Sequence, residues 1–213
     1  MAAVRAIKLP PGQADFWSAA KANQLTNLMV DMERSCLYSR YEAAAAEGDR
    51  PKQRGLRQII EGYNGASNFK TTGGGSYTSL NLITDGFAKC YAGGGNPDVI
   101  MASPDLMVGL ATWGFSKQTF PAGGSTVLGV PIEAYVVPLG GKPAIFVPNR
   151  TMRAGTIAVL TSSDLKIRPL RNEFWNQRGS RGDAMEGEWL ADLAIQAEHP
   201  GQHAWIEGIT GWA

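Results

Sequence analysis

The chain has 213 residues, 44% of them hydrophobic and 18% charged, with a formal net charge of +1. That length can bury a substantial core, in one domain or in two lobes sharing it. So neutral a balance excludes the broad basic field of a dedicated nucleic-acid binder. It also leaves less surface for ionised groups to keep wet, a shortfall met either by a large core or by cover from neighbouring subunits.

The opening, Met1 to Gln13, lacks the continuous apolar stretch of a signal peptide, and no run approaches bilayer length. The reading is a protein made in the cytosol, without a membrane partner. From Asp15 to Glu47 the spacing of Leu25, Leu28, Met29, Met32 and Cys36, followed by Ala43 to Ala46, predicts one helix. Asp15 suits its start and Gly48 its stop. At ~1.5 Å per residue such a rod would reach roughly 50 Å, longer than the apolar stripe along its middle, so it must cross a surface or meet a partner. Arg50, Lys52, Arg54 and Arg57 follow as a short basic patch with no aromatic interleaving, read as a solvated turn.

Residues 65–79, rich in Gly, Ser, Thr and Asn and containing Gly73–Gly75, are expected to form a loop. A second helix is expected over Ser79–Tyr91, with Leu80, Ile83, Phe87, Cys90 and Tyr91 on one face and Gly93–Gly95 ending it. Val99–Ala102 reads as a short buried strand leading into a third helix to about Trp113, with Ser103 as cap and Pro104 at the first helical position. From Thr126 the pattern turns to strands: Val130–Val137, Ala144–Val147 after a Gly140-Gly141 turn, Thr156–Leu160 and Leu165–Leu170. Polar Asn172–Met185 is expected to be a loop, Glu188–Glu198 an alternating strand, and Ala204–Ile209 a closing strand. Helices early and sheet late make the fold class α+β.

Catalytic chemistry finds little footing. Hydrolytic triads need a nucleophile, a base and an orienting group, and the two histidines, His199 and His203, merely flank a Pro-Gly turn. They are read as surface-turn residues, with no carboxylate at a recognised metal-ligand spacing beside them. Neither glycine triplet has a lysine in the register that a phosphate loop requires. Carboxylates spaced by two, Asp31/Glu33 and Glu186/Glu188, have nothing converging on them. Cys36 and Cys90 lie in separate apolar segments and read as small buried hydrophobes. No catalytic residue, cofactor or metal is assigned, and the chain is read as a non-enzyme.

Several segments in order resemble the major capsid protein of tailed bacteriophages, the fold named after phage Hong Kong ninety-seven. They are Leu25-Thr26-Asn27-Leu28-Met29-Val30-Asp31-Met32-Glu33-Arg34, then Arg54-Gly55-Leu56 with Ile59-Ile60, then Asn96 to Pro104. Ile145 to Arg150, Thr156 to Leu160, Gly182-Asp183 with Glu188-Trp189-Leu190, and Ala204 to Gly208 continue the series. The resemblance implies a peripheral lobe with a long spine helix and a β-sheet, and an axial lobe of mixed α/β. It places residues 1–14 in a residual N-terminal segment, 15–55 in the spine helix of the peripheral lobe and 56–155 in the axial lobe. Residues 156–200 become peripheral strands and 201–213 a strand returning to the axial lobe.

Some fourteen residues precede the helix, so most of the arm and extended loop usual in such proteins is expected to be missing. The implied role is a shell subunit forming pentamers and hexamers of an icosahedral phage head around DNA held without sequence specificity. Its partners would be copies of itself and other capsid or scaffolding proteins, its place the virion, and the host cytoplasm during assembly. Asp31, Glu33, Arg34, Gly182, Asp183 and Glu188 are the implied assembly residues, and the loops at 73–75 and 93–95 are expected at subunit borders. Two other readings use the same residues: an encapsulin-like compartment shell, or a small soluble α+β enzyme or ligand-binding domain.

Overall fold

A computed structural model describes residues 16–43, 52–63, 68–114, 118–119, 126–127, 130–131, 134–135, 143–181 and 184–212. Contacts divide the chain into two units. One holds Met1–Glu33 and Pro169–Leu193; the other holds Arg34–Arg168 and Ala194–Ala213. Among the described residues no helix is long and apolar enough to cross a membrane.

The second unit is built on a seven-stranded mixed sheet. In chain order its strands are β1 (Phe69–Thr71), β3 (Val99–Ala102), β4 (Gln118–Thr119), β7 (Ala134–Tyr135), β8 (Ala144–Pro148), β9 (Ile157–Leu160) and β12 (Ala204–Glu207), and in space they run β1-β12-β9-β3-β8-β7-β4. Two short pairs accompany it, β2 (Ser76–Tyr77) with β13 (Gly211–Trp212), and β5 (Thr126–Val127) with β6 (Val130–Pro131).

Period-two alternation sorts the central strands onto two faces. Ile100, Ala102, Ile157, Val159, Ala204 and Ile206 face one side. There they meet α3 (Ser79–Leu82), a π-helical turn (Ile83–Phe87), α4 (Ala88–Ala92) and α5 (Pro104–Gly114) through Leu82, Phe87, Cys90, Leu106 and Leu110. Ala158, Leu160 and Trp205 face the other side, against Leu37 and against α2 (Leu56–Glu61) through Leu56 and Ile60. All four residues of β9 are buried, which fits a strand central to a sheet covered on both faces. Cys90 sits in this core as expected, its thiol pushed up to about 12 by burial.

The π-turn interrupts the helix expected at 79–91, at the point where it runs closest to β9. A Cβ on Gly86 would stand 2.9 Å from Val159 Cγ2. The loop expected at 65–79 contains β1, parallel to β12, and β2, parallel to β13. Backbone hydrogen bonding at the sheet edge decided this, where side-chain composition had signalled only turns.

The first helix, α1 (Phe16–Tyr38), ends nine residues before the expected Glu47. Its 23 residues give about 34 Å at ~1.5 Å per residue, not 50 Å. The groups that would extend it are used across the chain. Gly55 N–H donates to the Ser39 carbonyl at 2.7 Å and Tyr41 N–H to Gln58 Oε1 at 2.7 Å, while Glu42 and Lys52 form an antiparallel bridge. Gly55 is required there, because a Cβ would lie 2.6 Å from Ser39 N. Ala44–Gly48 lie outside the described residues.

A further expectation is corrected. Asn172–Met185 is no loop: β10 (Leu165–Arg181) runs through most of it and pairs with β11 (Ala184–Ala197) as a two-stranded ribbon. Polar composition hid this strand because its residues are mostly exposed, and exposed positions carry no alternation to read. Beyond the expected boundary at 155/156, β9 is a central strand of the second unit's sheet, and that unit keeps the chain to Arg168.

Candidate assembly site

Within the first unit, the N-terminal part of α1 and the ribbon meet around three indoles. Trp17 and Trp175 pack edge to face at 5.8 Å, and Trp175 and Trp189 at 5.5 Å. Lys21 Nζ lies 4.9 Å from the Trp175 ring and 5.5 Å from that of Trp17, and its carbonyl accepts the Trp189 Nε1–H at 3.0 Å. Such cation–π and edge contacts are worth about 0.5–1.5 kcal/mol each at partly exposed sites. Beside them opens a cavity of about 300 Å³, lined by Trp17, Lys21, Gln24, Trp175, Arg178 and Glu188 among others.

The described residues of this unit form no dry interior. Among its described hydrophobic residues only Ala19 is buried. Every residue from Lys166 to Phe174 on β10 is exposed, including Leu170 at 84% and Phe174. Met29 of α1 is likewise exposed. Isolated two-stranded ribbons are marginal in water.

Along the ribbon, β10 cations face β11 carboxylates. Arg178 grips Glu188 through Nε (3.2 Å) and Nη2 (2.9 Å), and Arg171 Nε donates to Asp192 Oδ2 at 2.5 Å. Towards the other end, inside the second unit, Lys166 pairs with Glu198 and Arg168 donates to Gln196 at 2.8 Å.

Where the ribbon's strands begin and end within the second unit, a buried carboxylate acts as a clamp. Asp164 Oδ2 accepts the His199 backbone N–H at 2.7 Å, and Oδ1 lies 2.8 Å from His199 Nδ1. Fully buried His203 accepts the Thr161 N–H on Nδ1 at 3.2 Å, so its proton sits on Nε2, which donates to Asp164 Oδ2 at 3.2 Å. Burial pushes the His203 ring below the ordinary imidazole range, against the opposing pull of Asp164. Burial alone would raise Asp164, but hydrogen bonds from the His199 ring and backbone and the nearby histidines hold it below the carboxylate range. The surface-turn reading of the histidines therefore fails for His203, although His199 is exposed. One ligand atom each of Asp164, Glu198 and His199 lies within 4.8 Å of the others, but the same atoms are already engaged by His199, His203 and Lys166 in holding turns together.

Of the implied assembly residues, Asp31, Glu33 and Arg34 ride exposed on α1, and Glu188 sits on β11 against Arg178. Gly182 and Asp183 lie outside the described residues. The basic patch is not a solvated turn at Arg57, which donates to Glu207 at 2.8 and 2.9 Å and to Glu61 at 2.7 Å and lies over Phe69. The Arg57 hydrogen bonds hold Glu207 well below the usual carboxylate range. Sequence reasoning missed the indole cluster and the Asp164 clamp. Each joins residues more than 30 positions apart, and the three tryptophans carried no spacing signal.

Solved structures of similar fold are found across nearly the whole chain. The holo-SrpI encapsulin complex of Synechococcus elongatus superposes with a TM-score of 0.63 at 11% identity, covering 94% of this chain and 68% of that one. The satellite phage P4 procapsid gives 0.52 at 12% identity (92% and 68%), and a virus-like particle of Pyrococcus furiosus 0.51 at 14% (91% and 67%). No curated protein sequence matches. The profile of the SU10 major capsid protein family matches residues 10–210, and the chain belongs to that family. It is a structural capsid subunit of the bacteriophage type, which assembles with copies of itself into a shell and has its place in the virion.

Proposed function

We propose that copies of this chain form rings of five and six that close into an icosahedral head around DNA, held without sequence specificity. Scaffolding or other capsid proteins are the further partners, and assembly takes place in the host cytoplasm. The helix-and-ribbon unit would serve as the peripheral lobe and the sheet-centred unit as the axial lobe. The observation that carries this reading is the first unit's single buried hydrophobic residue among those described, since a regular arm without a core of its own is stabilised by neighbours.

The glycine loops would lie at ring borders. Gly73 and Gly74 have positive φ with open space or ordinary contact beside them, while Gly93 and Gly95 are explained within the subunit by close approach to Gly201 and Gln202. Loop 73–75 is therefore the stronger border candidate. Electron microscopy and sedimentation of the purified chain test the proposal: rings or particles are expected, and a compact monomer at every concentration sinks it. The encapsulin likeness keeps a compartment reading alive. Particles purified from expressing cells and treated with nuclease should retain protected DNA if the phage reading holds, and a protein cargo without DNA if the compartment reading does.

A further inference from the structure

The ribbon is sorted by charge. Strand β10 carries Lys166, Arg168, Arg171, Arg178 and Arg181 against one acid, Glu173; β11 carries Glu186, Glu188 and Asp192 and no cation. Among the described residues the two strands pair only with each other, so each has a second edge that bonds no strand. Both edges are blunted near the same end of the ribbon. Pro169 removes a donor from β10, and Gln53 Oε1 accepts the Ile195 N–H of β11 at 3.1 Å. Beyond these, Leu170–Arg178 and Glu186–Leu193 carry the apolar side chains and most of the sorted charge.

We propose that neighbouring copies meet head to tail through this ribbon, the cationic β10 of one lying along the anionic β11 of the next. The inference rests on the reading of the chain as a ring-forming shell subunit and adds the polarity of its contact. A two-fold contact would set β10 against β10 or β11 against β11, placing like charges side by side, which costs several kcal/mol in interfaces. The head-to-tail contact repeats the pairing already made within the ribbon, and only head-to-tail contacts close into rings of five or six.

The existing ion pairs do not oppose this. Their acids remain 36% (Glu188) and 42% (Asp192) exposed, and exposed pairs are worth only about 0–1 kcal/mol, so a neighbour's cation can reach each carboxylate at little cost. Leu170 and Phe174 supply the apolar part of the contact. Cations already balanced by carboxylates across the ribbon make a poor phosphate-binding stripe, which favours a protein neighbour over nucleic acid.

The test mixes two full-length variants. Arg171→Glu with Arg178→Glu leaves only acids among the charged residues of 170–178 on β10, as on β11; Glu188→Lys with Asp192→Lys turns the net charge of β11 positive, like that of β10. Each alone should lose roughly tenfold or more of its assembled fraction by sedimentation, with the thermal transition of the seven-stranded sheet retained. Mixed one to one they should recover most of that loss, in rings of even number, because acidic and basic ribbons alternate. If the charges acted only within each chain, mixing would restore nothing, and the proposal falls. It also falls if the reversed chains assemble normally while their particles hold less nucleic acid, which assigns β10 to the packaged strand. Should the reversed chains fail to fold, the uncharged variant Arg171→Gln with Asp192→Asn replaces them. Its assembled fraction should drop about threefold, and no drop overturns the proposal. A natural chain that never assembles would instead remove the shell reading itself.

Discussion

The two units are made from the same kinds of residue and reach opposite solutions. In the second, strands β3, β9 and β12 lie between helices on both faces, and Trp205, Ile206, Ile100 and Leu56 are almost wholly removed from water. In the first, three tryptophans and a long ribbon bury one alanine among the described hydrophobic residues. Aromatic content does not make a core; layers on both sides of it do. A unit with one helix and two strands has too few layers, so its order depends on what covers it from outside.

The largest expected effect comes from truncating one tryptophan in each unit. Trp205→Ala should destabilise the unassembled chain by about 3–5 kcal/mol, the usual cost of emptying a buried aromatic site. Trp175→Ala, removing edge and cation contacts and the packing of its ring on Gly187, should cost about 1–2 kcal/mol. Denaturant midpoints of the two variants compare them directly, and equal losses would erase the contrast between the units.

Next comes Gly155, at φ +69 with its hypothetical Cβ 2.2 Å from the Ile209 carbonyl oxygen. Gly155→Ala should cost about 1–3 kcal/mol or more, from left-handed backbone and steric clash together. Gly73→Ala has the same φ and open space, and should cost about 1 kcal/mol from backbone alone. The two thermal shifts separate clash from conformation.

A pH series sharpens the comparison further. His203 has a folded value below its ordinary 6.5, so the unfolded chain takes up its proton first. Its stabilising contribution is complete above about pH 6.5 and is lost as pH falls through the lower folded value. The slope contributed is at most about 1.4 kcal/mol per pH unit. Asp164, also held low, adds a second loss as pH falls below its ordinary 3.8 and through its folded value. Unfolding of the second unit between pH 8 and 5 should show the first loss, and His203→Asn should flatten it.

The smallest effect on the free chain is expected at Leu170. Leu170→Asp should change its stability by less than about 0.5 kcal/mol, as an exposed position, yet reduce assembly. Sedimentation beside a melting curve reads both, and unchanged assembly would leave this side chain without a role.

How far the sequence could be read differed between the units for the same reason. Val99–Ala102 and Thr156–Leu160 were legible because a strand between two apolar layers must be apolar along its length. The helix at Pro104 was legible from its starting residues. Strand β10 was legible only to Leu170, because the exposed polar residues beyond satisfy their hydrogen bonds in a ribbon as well as in a loop. The end of α1 was hidden too: the alanines after Tyr38 favour helix, and Gly55, sixteen residues from Ser39, stops it. At the candidate site, Glu188 was legible as an acid on a strand, but its partner Arg178 stood in the supposed loop.

By itself the sequence determined the fold class, the central strands and the start of the helix at Pro104. These depend on neighbours in the chain and on the period of apolar residues. Only the tertiary structure decided where α1 stops, that β10 runs on past Leu170, that His203 is buried on Asp164, and that the first unit buries a single hydrophobic residue among those described. Each of those turns on groups far apart in sequence competing for the same hydrogen bonds or the same space, and local pattern carries no record of that competition.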